Sequence, residues 1–457
     1  MNLCKNHNML LFNMINRSIG LYRYLVIVFF ITSFSSVLHA QDLLDIYELA
    51  LQHDPVLKQS IASQQAIGES RPQSIANFLP NIAATGISNQ NRLVNDRATY
   101  QGLGIQNYMD NNLTLNITQP LFHWEHWIQL SQSDNQIAQA EADYQTELQK
   151  MMVKIIDAYF NILAANDNLD FIIAEKEAIA RQLDQAKQRH ETGLIDITQV
   201  YEAQTAFDRA IANEIEATNN IDNQKEALTA IIGEQTLIVN RLANTIPLIK
   251  PEPNDITAWS ESAESNNFSI ISAFNQMEFS RKSIDIQRNG HLPKLDLIAS
   301  MGEYATSSNF GLQGQNEIIG LRLNMPLYEG GAVNSRTRQA QFKFEQSNEN
   351  LIATKRTVNK QVKDAYRAII TSLNRIKALQ SAINSAEAAL KGTETAFDVG
   401  LRTIIDVLIA QKNLYQDKRD YSRARYDYLL NTIKLKQASS SLSRQDLEMM
   451  NNLLVRN

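Results

Sequence analysis

Two imidazoles, a carboxylate and two indoles fall within five positions at His123-Trp124-Glu125-His126-Trp127, and histidine with glutamate is a donor set that holds transition metals. The H-x-E-H spacing is not a recognised closed ligand set, and no second His or Cys cluster supports it, so no metal site is expected. His190 falls at a helical core position and reads as packed, not catalytic. A Gly-rich phosphate loop, a nucleophile elbow and an HExxH pair are all missing from the sequence. The expectation is no cofactor and no enzyme.

More informative polar residues sit in a phrase that occurs twice. ETGLIDITQVYEAQ, Glu191 to Gln204, returns 207 residues later as DVGLRTIIDVLIAQ, Asp398 to Gln411, with six of fourteen positions identical. Gly193 and Gly400 suit the left-handed position just past a helix. Asp196 and Thr403 suit the N-cap of the next helix, with Gln199 and Asp406 three residues on as capping-box partners. Each phrase therefore reads as the tip of a helical hairpin. Arg402 has no part in making that turn.

The elements that carry the tips are long helices. Leu148, Met151, Ile155, Ala158, Ile162, Ala165, Leu169 and Ile172, then Ile179, Leu183 and Ala186, keep a seven-residue clock that Lys176 interrupts. Val358, Val362, Ala365, Ile369, Ile376, Leu379, Ile383, Ala386 and Leu390 keep it again, with Ser372 the exception. Prolines are absent between Pro120 and Pro247, so one helix is predicted from about Trp124 to Glu191. At 1.5 Å per residue it reaches roughly 100 Å, and its strict period implies left-handed supercoiling.

Ahead of each long helix lie two strand-like segments: LPNIAATGISNQ with NLTLNITQPLF, and LPKLDLIASMG with IIGLRLNMPLY. Leu113, Leu115 and Ile117 alternate with polar residues, as do Ile319, Leu321, Leu323 and Met325, the dyad pattern of outer-membrane strands. The intervening segments near 90–110 and 305–315 are polar and are expected to be loops. Four strands cannot close a barrel and a membrane tolerates no open edge, so the sheet either stays in water or is shared by copies, three of which give twelve strands. Trp124 and Trp127 then fit an aromatic belt against outer-membrane lipid.

Composition bounds the setting. Lys5, Arg17 and Arg23 precede the apolar run Tyr24 to Val37 and Leu38-His39-Ala40, a secretory signal with cleavage before Gln41. Residues 1–40 take three of the 43 Lys and Arg and none of the 49 Asp and Glu, leaving 40 against 49, a net charge of −9. That balance argues against nucleic acid as a partner. The one cysteine, Cys4, precedes the apolar run, so the mature chain is cysteine-free.

The signal, the duplicated halves, and the segments HLPKLDL, MPLYEGGAVNSRTRQAQ, VGLRTIIDVL and ARYDYLLNTIKLKQASSSLSRQDL, in that order, together resemble the TolC family of outer-membrane channel-tunnel proteins. The resemblance spans essentially the whole mature chain. It implies a mostly α fold with membrane β: a homotrimer whose twelve-stranded barrel, four strands per protomer, continues into a coiled-coil tunnel through the periplasm with a mixed equatorial domain. The divisions expected are a signal at 1–40, a first repeat at 41–235 (strand pair about 80–121, long helix and hairpin about 124–233) and an equatorial segment at 236–266. A second repeat follows at 267–438 (strand pair about 293–328, long helix and hairpin about 331–438), then a tail at 439–457. The implied role is a passive exit duct for small-molecule efflux or type I protein secretion, working with a periplasmic adaptor and an inner-membrane pump or ABC transporter.

By motif, Asp406 takes the place of a constriction aspartate, Arg402 and Thr198 that of a polar link, and Gly193, Leu194, Gly400, Leu401 and Thr403 those of tip positions meeting the adaptor. Where relatives carry a second aspartate this chain has Ile409, and where they carry a tyrosine and an aspartate it has Phe397 and Gln199. With a thinner acidic ring, Arg402 is expected to bear more of the closing interaction, with Asp196 as a partner. The rival reading is a soluble periplasmic coiled-coil scaffold with an ordinary sheet.

Overall fold

The computed structural model describes residues 42–99, 102–233, 239–308 and 313–455. The expected signal segment, residues 1–40, lies outside the described residues. Three short helices come first: α1 (Leu43–His53), α2 (Pro55–Gly68) and α3 (Ser70–Ala76). The buried Asp54 carboxylate caps α2 by accepting from the amides of Val56 and Leu57, with Pro55 at the first helical position.

Strands β1 (Asn81–Thr99) and β2 (Gly102–Phe122) lead into α4 (Trp124–Glu191), a single helix of 68 residues, and α5 (Ile197–Ile232) returns from the tip. A short β3 (Arg241–Leu242) and α6 (Ile256–Asn266) connect to α7 (Phe268–Arg288). The second half repeats the order with β4 (Lys294–Thr306), β5 (Gly314–Asn324), α8 (Ala332–Asp398, 67 residues) and α9 (Ile404–Ala438). It ends in α10 (Arg444–Asn451) and β6 (Leu454–Val455), which pairs with β3.

The long helices run where the sequence predicts because no proline interrupts them and the apolar clock turns one seam inward. Ile155, Ile162, Val362 and Ile369 are all buried. Helix α4 also buries a second flank, Ile156, Tyr159, Phe160 and Leu163, against the ends of the shorter helices and the β3 region. A single heptad seam does not foretell that flank. The Tyr159 hydroxyl accepts from the Asn240 amide at 3.0 Å and donates to its carbonyl at 3.3 Å, which satisfies both inside the core.

The large sheet is ordered β1-β2-β4-β5, antiparallel throughout. One correction concerns the loop expected near 90–110. Most of it is strand, with Gln90 opposite Met109 and pairing continuing to Asn95 opposite Gly104. Polar side chains do not prevent a ladder made by the backbone, and Met109, Ile105 and Val94 carry the apolar alternation onward among them. The break near 305–315 is a loop, since β4 ends at Thr306 and β5 begins at Gly314.

Register collects the apolar residues on one face: Ile82, Ile117, Ala299 and Ile319 form one row, with Leu297 beside Leu321 and Leu295 beside Leu323. That face is bare, with Ile319 79%, Leu321 66% and Leu323 67% exposed. Among the described residues no strand pairs outward of β1 or β5, so both edges are open. No described helix is long and apolar enough to cross a membrane.

Candidate functional site

The two hairpin tips are built alike at their helix ends. Thr192 closes α4; Gly193, at φ +72°, donates to His190, and Leu194 donates to the Arg189 carbonyl at 2.8 Å. Gly400, at φ +79°, donates to Phe397, and Leu401 donates to Ala396 at 2.8 Å. This is the Schellman arrangement, and it needs a residue that tolerates positive φ. The His190 ring lies 3.1 Å from the Ile195 carbonyl, a packed role within the turn.

The starts of the returning helices differ. In the second tip the capping box is complete: the Thr403 amide and hydroxyl each donate to the Asp406 carboxylate at 2.9 Å, and the Asp406 amide donates back to the Thr403 hydroxyl at 3.4 Å. In the first tip the expected reciprocal bond from Gln199 is not made. The Asp196 carboxylate takes the Thr198 amide at 2.8 Å and the Thr198 hydroxyl at 2.6 Å, so the near neighbour supplies both donors. Hydrogen bonds from Thr198 hold the Asp196 carboxyl below its ordinary value, and those from Thr403, with the Arg402 charge behind them, do the same for Asp406.

Arg402 lies on Asp406, Nη1 to Oδ1 3.6 Å, and not on Asp196, whose carboxylate is engaged by Thr198. Leu194 and Leu401 project into solvent, 73% and 79% exposed, and Ile409 is also exposed. Phe397 is buried in a small core with Leu183, Ala186, Val200, Ala203, Ile404 and Val407, which glues the two tips together.

One group at the tips leaves no signal in the sequence. Arg189 Nη1 donates to the Phe397 carbonyl at 3.1 Å, Nη2 to the Asp398 carboxylate at 2.9 Å, and the guanidinium lies 4.3 Å from the Phe397 ring centroid. Asp398 opens the second tip phrase, yet nothing in the spacing says that it faces position 189.

At the other end of α4 the His-Glu-His group is drawn together, with one donor atom from each of His123, Glu125 and His126 within 4.8 Å of the others. The Lys294 ammonium sits on the Glu125 carboxylate, where a metal cation would have to bind. His123 Nε2 lies 2.8 Å from Asp296, which Arg322 also contacts at 3.2 Å, and the His126 ring stacks on His123. Burial acts to raise the Glu125 carboxyl, but Lys294 keeps it below its ordinary value. The arrangement is an alternating charge network tying the start of α4 to β4 and β5. Trp124 and Trp127 are exposed, Trp127 with its ring edge-on to Phe78 at 4.8 Å.

The sequence and the order of strands and long helices both match known proteins. The outer membrane efflux protein family model matches residues 46–234 and 259–441. Outer membrane protein TolC of Escherichia coli (strain K12) is 34% identical over 441 residues, 93% of this chain and 87% of its own. The alkaline protease secretion protein AprF of Pseudomonas aeruginosa is 28% identical over 423 residues, 90% and 87% of the two chains. Among solved structures, the outer membrane protein VceC from Vibrio cholerae superposes with a TM-score of 0.75 at 19% identity, covering 87% of this chain and 95% of that one. With two matched segments that take in nearly all of both halves, and a relative a third identical along almost its full length, the chain belongs to the outer membrane efflux protein family.

Proposed function

We propose that the chain is an outer-membrane channel, a passive exit duct for small-molecule efflux and type I protein secretion. It assembles as a homotrimer in which three four-stranded sheets close a twelve-stranded barrel, and α4, α5, α8 and α9 of each copy form a tunnel reaching into the periplasm. The observation that carries this reading is the sheet: an apolar face left bare and two edges left open, a combination that hydrocarbon tolerates only when the edges of neighbouring copies pair. The same bareness argues against the scaffold reading, since a sheet kept in water would cover that face.

The first and second repeats, 41–235 and 267–438, flank the equatorial segment 236–266, with 439–457 as its other part. The narrow end of the duct lies at the tips. There Asp406, with Ile409, lines the constriction, Arg402, Thr198, Gln199 and Asp196 make the polar links between neighbours, and Phe397 packs behind them. Gly193, Leu194, Gly400, Leu401 and Thr403 present the surface for a periplasmic adaptor, which joins the duct to an inner-membrane pump or ABC transporter that supplies the energy. Trp124 and Trp127 meet the membrane interface.

Light scattering of protein extracted with detergent from isolated outer membranes, corrected for bound detergent, tests the reading. Three chains per particle is the expected mass. A monomer confined to the soluble periplasmic fraction overturns it.

A further inference from the structure

We infer that Arg189, on the last turn of α4, is the positioning residue that holds the second hairpin of each protomer in its closed pose, as a clamp inside the protomer. The inference rests on the tips being the narrow end of the duct and names a group that sets how firmly that end is shut.

Several contacts converge on the second hairpin from one short stretch of the first. Arg189 donates to the Phe397 carbonyl and to the Asp398 carboxylate, with a longer approach to the Asp398 carbonyl at 3.5 Å, and Gln185 donates to the same carboxylate at 3.2 Å. The two carbonyls belong to the final turn of α8, where the helix dipole presents its negative end; the Phe397 carbonyl already accepts from Gly400 in the turn and takes Arg189 as a second donor. A guanidinium suits both needs, because its planar fork serves carbonyl and carboxylate together. Its face meanwhile covers the Phe397 ring, whose other side is buried in the tip core. Moving the second hairpin away from the first must therefore break the fork, uncover the ring and open the small core in one step. The Arg189 side chain is 20% exposed and Asp398 58%, so the guanidinium is sheltered on its ring and carbonyl side while the carboxylate faces water.

Arg402 and Asp406 cannot act in this way within the chain, since both lie in the second hairpin. Over the last three turns of the tips, Arg189–Asp398 is the ion pair that crosses between hairpins among the described residues. Further up, Arg419 of α9 meets Glu175 of α4 at 2.6 Å, so the crossing contacts continue along the seam.

Planar-bilayer recording of the purified trimer tests the clamp. Arg189→Gln should raise the open fraction by about tenfold, as expected for loss of a charge-assisted pair with its carbonyl bond. Asp398→Asn should raise it less, since the carbonyl and ring contacts persist. Arg189→Asp should raise it most, and the exchanged pair Arg189→Asp with Asp398→Arg should recover part of the closure, which a merely structural role would not give. Light scattering on each variant confirms that the trimer is intact. Wild-type conductance in Arg189→Gln, or an exchanged pair no more closed than Arg189→Asp alone, overturns the inference. A Gln185→Cys, Asp398→Cys protein bridged with a short bis-maleimide separates the two failures. If the bridge shuts the channel while Arg189→Gln is silent, the clamp fails and the tip gate stands. If the bridge leaves conductance unchanged, the tips are not the gate and both fall.

Discussion

Arg402 reaches Asp406 one helical turn along the same tip, Nη1 to Oδ1 3.6 Å, so the cation and the anion assigned to the narrow end of the duct are neighbours within each protomer. The Arg402 side chain is 61% exposed and Asp406 35%, and a surface pair of this kind contributes little to stability. Their importance lies in the field they project, because three copies about one axis repeat it three times. Asp406→Ala should leave the tip folded yet weaken cation preference and block by multivalent cations. The measurement is the reversal potential under a salt gradient, and an unshifted value would remove Asp406 from the constriction.

Acid should loosen the tips, and the direction of the pKa shifts places the effect. The bonds from Thr403 and the Arg402 charge keep Asp406 below its ordinary value of 3.8, and the bonds from Thr198 do the same for Asp196. A carboxyl depressed in the folded state contributes stability that is complete above the unfolded value and is lost as pH falls through the folded one. Conductance should therefore hold steady from neutral pH and rise only below about pH 4. Asp406→Asn should remove Asp406's share of that rise. A transition centred near pH 6 would point to histidine instead.

Much of this was legible in the residues. The bounds of α4 could be read because its seven-residue clock, the missing prolines and Gly193 are local signals, and one chain carries them all. Four features were not. The outer half of the β1–β2 hairpin looked like loop, because a ladder satisfied by the backbone leaves little trace in polar side chains. Tyr159, Phe160 and Leu163 lie off the heptad seam and are buried by elements that only the tertiary fold brings near. The charge network at His123 is closed by Asp296, 173 positions away, and the clamp at Arg189 by Asp398, 209 positions away, distances over which spacing carries no information.

Tyr159 offers a test of the equatorial core. Its hydroxyl, kept protonated by burial that pushes its pKa up, accepts from the amide and donates to the carbonyl of Asn240. Tyr159→Phe preserves the ring and strands both groups away from water, which should cost about 1–3 kcal/mol. The check is the midpoint of chemical denaturation of the detergent-solubilised protein. An unchanged midpoint would mean that water reaches Asn240.

The two faces of the sheet make opposite demands, and one pair of substitutions separates them. Leu321 stands in the bare apolar row beside Leu297, whereas Thr114 stands on the opposite face, level with Gly302 and Thr85. If the apolar row meets lipid, Leu321→Arg places a charge in hydrocarbon at a cost of roughly 2–4 kcal/mol near the midplane. Thr114→Arg then places the same charge in the water of the lumen, where it should alter conductance and not insertion. The measurement is the share of each variant recovered in outer membranes. Loss of Leu321→Arg with normal recovery of Thr114→Arg fixes the apolar row as the lipid face. Equal recovery of both would mean that neither face meets hydrocarbon, since an arginine at Leu321 cannot be neutral in a bilayer.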